Sequence, residues 1–357
     1  MLLLPSLAGG GAERVVITLA NAVAEAGWRV HLVTVHGSGP LHDAVASQVH
    51  YHDLGLGRVG AAFIAISKVI CHVKPDVVLC TPAHLNLVVL LTRILHPSGT
   101  RLFIREANMP SQTLPTQPLP AVFRALSRWL YPRADIVLCP ARRVADELVD
   151  ILGVPRSRVS VLPNPVDWEG LAKARGAPIR EDGDGLRLVA AGRLTPQKNF
   201  AALIECMRDA PTNTILTLFG TGPLEAELRA LVRSSDCPDR VRFRGFSGEL
   251  WRWFAGADAV VLPSLWEGMP NVALEALGCG AKVVAMRSAG GVAELKPVND
   301  DTLILVDDMC ALAQALWSLE PGAVDELRQC QLSTEHHRES VAKRFLAMCD
   351  VGHGVSA

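Results

Sequence analysis

Short apolar runs alternate along this chain with longer stretches in which apolar positions recur every three to four residues, a rhythm that predicts strands and helices in turn. Residues 2–5 predict a strand. Residues 12–26 predict a helix with Val16, Leu19, Ala20 and Val23 as its buried stripe and Gly27 as its stop. Further strands are expected over 29–35, 49–54, 76–80, 101–105, 135–138 and 159–162, and helices over 61–73, 85–95, 122–131 and 142–152. The proline-rich passage 110–120 fits neither period. After Pro163–Pro165, the segment 167–185 is dense in Gly, Asp and charge and reads as a linker. The rhythm then resumes, with strands over 186–190, 215–219, 241–243, 259–262, 282–285 and 303–306. Helices are expected over 200–208, 224–232, from Asn271 to Gly278, over 309–319 and over 323–330. A last helix over 335–349 is expected to pack back on the first half.

Such alternation argues for parallel α/β sheets, and 357 residues suit two domains. Their expected extents are 1–165 and 166–334. Two doubly wound domains facing each other would create a cleft outside the carboxyl ends of their strands, where ligands bind.

Composition narrows the function classes. At 49% hydrophobic and 20% charged the chain is globular, and a net charge of −1 gives no whole-protein case for nucleic acid as a partner. The charge is divided unevenly, however. Residues 1–165 carry 15 Lys/Arg against 10 Asp/Glu, a balance that fits an anionic lipid or an anionic acceptor. Nine cysteines without a C-x-x-C pair read as reduced, buried thiols. The apolar start lacks a basic region and reaches Gly9 within a few residues, so it reads as no signal peptide, and no run approaches a membrane span.

The stretch DAVVLPSLWEGMPNVALEALGCGAKVVAM, residues 258–286, concentrates the chemistry. A buried strand breaks at Pro263–Ser264, Glu267 stands in the following loop, and Glu275 lies eight positions on, inside a helix. The backbone N–H groups of that helix start lie between the two carboxylates and form a ready anion site. Hydroxyl-binding carboxylates around an anion-binding helix end suggest a sugar nucleotide. Gly192 to Asn199 (GRLTPQKN) places Arg193 and Lys198 in one short loop after a strand. An arginine forks onto diphosphate oxygens and a lysine supplies a mobile point charge, so the pair would neutralise a leaving diphosphate. Two surface charges would read the same in isolation.

Gly10 and Gly11 open the first predicted helix, and Gly220 and Gly222 form a second glycine turn after a strand. Glycines let backbone approach a phosphate closely, and they equally serve tight turns. The G-x-G-x-x-G pattern fails at Arg14, which disfavours a dinucleotide site. No D-x-D, G-x-S-x-G or P-loop motif occurs, so a metal-bridged diphosphate is unsupported and no metal or cofactor is expected. His336 and His337 read as solvated on a polar helix. In 119–133 (LPAVFRALSRWLYPR), apolar and aromatic positions interleave with arginines at near-helical spacing. That pattern fits an interfacial helix on an anionic membrane, and equally a helix packing its apolar side on a sheet.

GGGAERV, LPNPVD, GRLTPQKNF, FGTGPLEAELR, VRFRGF and LPSLWEGMPNVALEALGCGAKVVA occur in this order, and together they resemble the retaining GT-B glycosyltransferases of family 4. The resemblance covers essentially the whole chain. It implies two facing Rossmann-like domains, a nucleotide-sugar donor (a UDP- or GDP-sugar) held by the second, and a glycan or lipid-linked acceptor recognised by the first. It further implies polysaccharide or glycolipid synthesis in the cytoplasm, peripheral to the inner face of the plasma membrane, with retention of configuration and without a divalent metal. Arg193 and Lys198 match residues that contact the donor diphosphate, Glu275 matches the ribose ligand and Glu267 the donor-sugar ligand. Gly268, Met269, Pro270, Asn271 and Val272 match a segment that holds sugar hydroxyls and phosphate, and Gly10 and Gly11 match glycines that approach the diphosphate. Many members carry a histidine after the fifth strand of the first domain. Here that place reads Ile104-Arg105-Glu106-Ala107-Asn108, so Glu106 or Asn108 would take over acceptor positioning. A sugar-nucleotide 2-epimerase of the same fold and a non-catalytic sugar-nucleotide-binding module are the competing readings.

Overall fold

A computed structural model of the chain describes residues 1–37, 39–57, 59–322 and 328–350. The chain divides into two units, Met1–Val166 together with the chain from Glu335 onward, and Asp167–Thr334.

The first unit begins with β1 (Leu2–Ser6), α1 (Gly11–Glu25), β2 (His31–His36) and β3 (His50–Asp53). It continues through α2 (Phe63–Val73), β4 (Val77–Cys80), α3 (Ala83–Leu91) and β5 (Arg101–Arg105). The one-turn α4 (Pro110–Thr113), α5 (Pro120–Leu130), β6 (Ile136–Cys139), α6 (Arg142–Asp150) and β7 (Val159–Val161) complete this part. All seven strands are parallel, in the order β3-β2-β1-β4-β5-β6-β7. The central strands are covered on both faces, which is why Leu2–Leu4 and Leu102–Ile104 are continuous apolar runs without alternation.

The second unit runs α7 (Trp168–Arg175), β8 (Arg187–Ala191), α8 (Phe200–Cys206), β9 (Ile215–Phe219), α9 (Glu225–Ser234) and β10 (Val241–Gly245). It closes with α10 (Leu250–Gly256), β11 (Ala259–Leu262), α11 (Asn271–Gly278), β12 (Lys282–Met286), β13 (Leu303–Val306) and α12 (Met309–Trp317). Its six parallel strands are ordered β10-β9-β8-β11-β12-β13. The strand order therefore reverses between β8 and β11, and at such a point the loops leaving neighbouring strands diverge and open a crevice. Each unit is a doubly wound parallel α/β domain.

Several expectations are corrected. The segment expected as a linker, 167–185, folds onto the second unit. Asp167 caps α7 by accepting from the Gly170 N–H at 3.2 Å, Leu171 and Ala174 are buried, and Arg180 forks onto Asp258 at 2.9 and 3.0 Å. The charge that suggested solvent is engaged in a cap and in neutralising a buried carboxylate. Helix α10 went unpredicted because its seven residues span barely two turns. Of the helix expected over 323–330, residues 323–327 lie outside the described residues and 328–330 are not helical. The last helix, α13 (Arg338–Asp350), starts three residues later than expected and packs along α1, with Phe345 edge-on to Phe103 at 6.1 Å between centroids. Arg101 ties down its end by donating to the carbonyls of Met348 and Cys349, both at 2.9 Å.

His336, expected in solvent, is 3% exposed and its Nδ1 lies 3.1 Å from the Asn164 carbonyl. Burial pushes its pKa down, so the neutral ring is the form that fits. Helix α5 reverses the usual arrangement: it buries Ser127 and Leu130 and turns Val122, Leu126 and Trp129 outward. No helix among the described residues is long and apolar enough to cross a membrane.

Candidate active site

The carboxyl ends of β8 and β11 carry the two loops that hold Lys198 and Glu267. In the first, Pro196–Lys198 make a 3-10 turn and Asn199 takes a left-handed conformation (φ 53°, ψ 34°) that starts α8. Asparagine tolerates that region because its short amide bonds locally. The second loop, residues 263–270, is pinned to the first: the Leu265 N–H donates to the Gln197 carbonyl at 2.9 Å, and Gln197 Nε2 donates to the Trp266 carbonyl at 2.8 Å. These clamps bring Lys198 Nζ onto Glu267 Oε1 as an ion pair whose side chains are 16% and 11% exposed. Ser264 Oγ donates to the same oxygen at 3.0 Å, and Gln197 Nε2 stands 3.4 Å from the other. Glu267 thus has a charge partner and two dipoles in a largely dry setting.

Glycines set the spacing of the surrounding loops. A Cβ at Gly220 (φ 127°) would lie 1.9 Å from the Gly192 carbonyl oxygen, and one at Gly290 (φ 65°) would lie 1.9 Å from the Glu267 carbonyl oxygen. The β9 loop is bonded to the β8 loop through Leu194 N–H to the Thr221 carbonyl at 3.0 Å and Leu224 N–H to the Leu194 carbonyl at 3.1 Å. Gly220 and Gly222, read from sequence as donor-binding, serve first to let these two loops touch. The β12 loop closes the other side, with Gly291 N–H donating to the Gly268 carbonyl at 2.9 Å and Ser288 Oγ to the Ser264 carbonyl at 3.3 Å. Sequence reasoning missed Gln197, Ser264 and the Gly290–Gly291 pair. The signal was present: the glycines of S-A-G-G follow a strand, as those at Gly220 and Gly222 do.

The remaining expected donor residues fall nearby in the same fold. Arg193 is exposed, and its guanidinium has no hydrogen-bond or ion-pair partner among the described residues. Pro270 precedes α11, no side chain caps that helix, and Asn271 and Val272 form its first turn. Met269 is buried at 8% and Glu275, in the second turn, at 6%. The loop cluster therefore presents one free cation, one balanced ion pair, a buried carboxylate and an uncapped helix start, which together suit a ligand carrying phosphates and hydroxyls.

In the first unit, Gly10 precedes α1 and Gly11 is its first residue. Glu106 follows β5 and is 5% exposed; Tyr131 Oη donates to its Oε2 at 2.8 Å. Asn86 Nδ2 donates to the Arg105 carbonyl at 3.0 Å and to Tyr131 Oη at 3.3 Å, while Arg105 Nη2 donates to Asn164 Oδ1 at 2.6 Å. Burial pushes the Glu106 carboxyl up to about 7, opposed by the hydrogen bonds from Tyr131 and from backbone at Asn108. Its ordinary value is 4.5, so between about pH 4.5 and 7 the folded chain keeps a proton that the unfolded chain has released. The stabilising contribution is complete below that window and is lost as pH rises through it. In Glu106→Gln the decline is expected to vanish. Thermal midpoints measured from about pH 5 to about pH 8 should separate progressively in favour of the variant, by on the order of 3 kcal/mol at most.

Comparison with known proteins agrees with this architecture in both units. A family model described as Glycosyltransferase Family 4 matches residues 9–169, and one described as Glycosyl transferases group 1 matches residues 185–320. The chain belongs to the group 1, family 4 glycosyltransferases. It is 27% identical over 324 residues, 87% of each chain, to the N-acetylgalactosamine-N,N'-diacetylbacillosaminyl-diphospho-undecaprenol 4-alpha-N-acetylgalactosaminyltransferase of Campylobacter jejuni. It is 24% identical to the lipopolysaccharide core biosynthesis glycosyltransferase LpsE of Rhizobium meliloti, covering 94% of this chain and 92% of that one. Among solved structures, Anabaena HepE in complex with UDP-glucose superposes with a TM-score of 0.69 at 17% identity, over 98% of this chain and 96% of that one. The fold is the GT-B fold of this group.

Proposed function

We propose that this glycosyltransferase moves a sugar, with retention of configuration, from a UDP- or GDP-sugar to a glycan or lipid-linked acceptor in polysaccharide or glycolipid synthesis. The observation that carries the reading is the Lys198–Glu267 pair at the strand-order reversal of the second sheet. Lys198, joined by Arg193, holds the donor diphosphate beside the α11 start, and Glu267, paired with Lys198, accepts hydrogen bonds from sugar hydroxyls. Glu275 takes the ribose, and the backbone from Gly268 to Val272 holds the sugar and phosphate oxygens. Charge developing on the leaving diphosphate is met by Lys198, Arg193 and the N–H dipoles of the α11 start, so no divalent metal is needed in the step. Glu106, with a carboxyl poised near neutrality, positions the acceptor hydroxyl.

The HepE complex with UDP-glucose supports a uridine donor, and the Campylobacter enzyme's name supports an acceptor built on diphospho-undecaprenol. Thermal shift over UDP-, GDP- and ADP-sugars tests the donor. A matched nucleotide sugar at about 100 times its dissociation constant should stabilise the fold by roughly 2.7 kcal/mol, unchanged by EDTA. Stabilisation by none of the three, or only in the presence of a divalent ion, would sink the reading.

A further inference from the structure

Helix α3 reads AHLNLVVLL, and the asparagine at its centre, Asn86, is fully buried. An amide taken out of water costs free energy unless it is hydrogen-bonded. Asn86 uses both hydrogens of Nδ2, one on the Arg105 carbonyl at 3.0 Å and one on Tyr131 Oη at 3.3 Å. Its Oδ1 has no partner among the described residues. Turning the amide over would set Oδ1 against the Arg105 carbonyl oxygen, so that carbonyl fixes which end of the amide is nitrogen.

The direction of the whole chain of bonds follows. An amide nitrogen only donates, so Tyr131 Oη accepts from Asn86 and its single hydrogen goes to Glu106 Oε2 at 2.8 Å. Tyr131 lies in the turn that ends α5 and is 1% exposed, so its hydroxyl has no solvent to turn to. Oε2 therefore accepts in both charge states of the carboxyl, and a proton on Glu106 has only Oε1 to occupy. The other groups acting on this carboxyl are the backbone at Ala107 and Asn108 and the Arg105 guanidinium, which is directed onto Asn164 Oδ1 at 2.6 Å. Burial brings Arg105 down only to about 10 and pushes Tyr131 up, so neither changes charge near neutrality. Apolar side chains of the same shape would fill the Asn86 and Tyr131 positions at nearly equal stability. Packing alone does not call for this chain of bonds; orienting a carboxyl does.

We propose that Asn86 and Tyr131 are positioning residues that confine the exchangeable proton of Glu106 to Oε1 and present that oxygen to the acceptor hydroxyl, which rests on the reading of Glu106 given above. The test is kcat/KM for the acceptor against pH, at saturating donor. In the wild type it should rise through about pH 7 as Glu106 ionises. In Tyr131→Phe the ionised carboxylate loses a hydrogen-bond donor, so the rise should move up by about one pH unit. Transfer at pH 7 should then fall roughly fivefold, with the donor KM unchanged. The double variant Asn86→Leu, Tyr131→Phe should show the same displacement. It keeps the test open if Tyr131→Phe alone folds poorly, because it leaves no amide hydrogen facing a phenyl ring. A loss of thermal midpoint and of transfer that is equal at every pH, with the rise left in place, would make both residues structural only and overturn the proposal. Glu106→Gln separates this from the reading beneath it, since it should remove the rise and lower transfer. Wild-type transfer with an intact rise in Glu106→Gln would sink both the acceptor role of Glu106 and the positioning roles. Loss of the rise there, together with an unmoved rise in both Tyr131 variants, would sink the positioning roles alone.

Discussion

Replacing Lys198 with alanine is expected to lower sugar transfer by on the order of 10²-fold at saturating donor, the scale of losing one preorganised charge donor to a leaving group. The structure adds a second consequence. Glu267 is 11% exposed at its side chain, and Lys198 is its ion-pair partner. Removing the lysine leaves that carboxylate with Ser264 and Gln197 alone, so the variant should also lose about 1–3 kcal/mol of stability, somewhat less than a fully buried pair would lose. The two effects separate in the double variant Lys198→Ala, Glu267→Gln. Its midpoint should recover most of the loss, because no uncompensated charge remains, while transfer stays low. Transfer at the wild-type rate in Lys198→Ala would remove the central mechanistic claim. Recovery of transfer in the double variant would make the lysine a structural counter-ion only.

Gly220→Ala is expected to destabilise the second unit by about 2–4 kcal/mol, because two independent penalties coincide there. The backbone has φ 127°, where side chains with a Cβ are strained, and the new Cβ would sit 1.9 Å from the Gly192 carbonyl oxygen. That oxygen is backbone of the Arg193–Lys198 loop, so relief requires the loop itself to move. For a unit of this size the thermal midpoint should fall by roughly 6–12 °C, and Lys198 should lose its seat, which weakens donor binding as well. Gly245→Ala is the internal control. It also has positive φ, 66°, but nothing lies within 4 Å of its Cβ position, so about 1 kcal/mol is expected. Equal midpoints for the two variants would show that loop contact contributes nothing beyond backbone strain.

Most strands and long helices were legible from periodicity, because strands covered on both faces need unbroken apolar runs and covering helices need a stripe. Apart from the short α10, the segments that escaped were those whose local composition looks polar. Residues 167–185 read as a linker until Arg180 is seen neutralising Asp258, 78 positions away. His336 reads as solvated until Asn164 offers its carbonyl, 172 positions away. In both cases the partner that makes burial tolerable is remote in sequence, and no local pattern encodes it.

The sequence by itself determined the alternation of strand and helix, the placing of glycine and charge at the carboxyl ends of strands, and the concentration of donor-type residues between 258 and 286. Those are local properties, set by side-chain volume, period and turn chemistry over a few residues. Only the tertiary structure decided which loops meet. Strand order brings β8 beside β11 and so puts Lys198 on Glu267 across 69 positions. The packing of the first unit puts Tyr131 on Glu106, and it leaves the α5 stripe facing outward. An amphipathic period shows that a helix has an apolar side. Whether that side finds the sheet depends on how the rest of the chain has already covered it, and here Ser127 and Leu130 take that place.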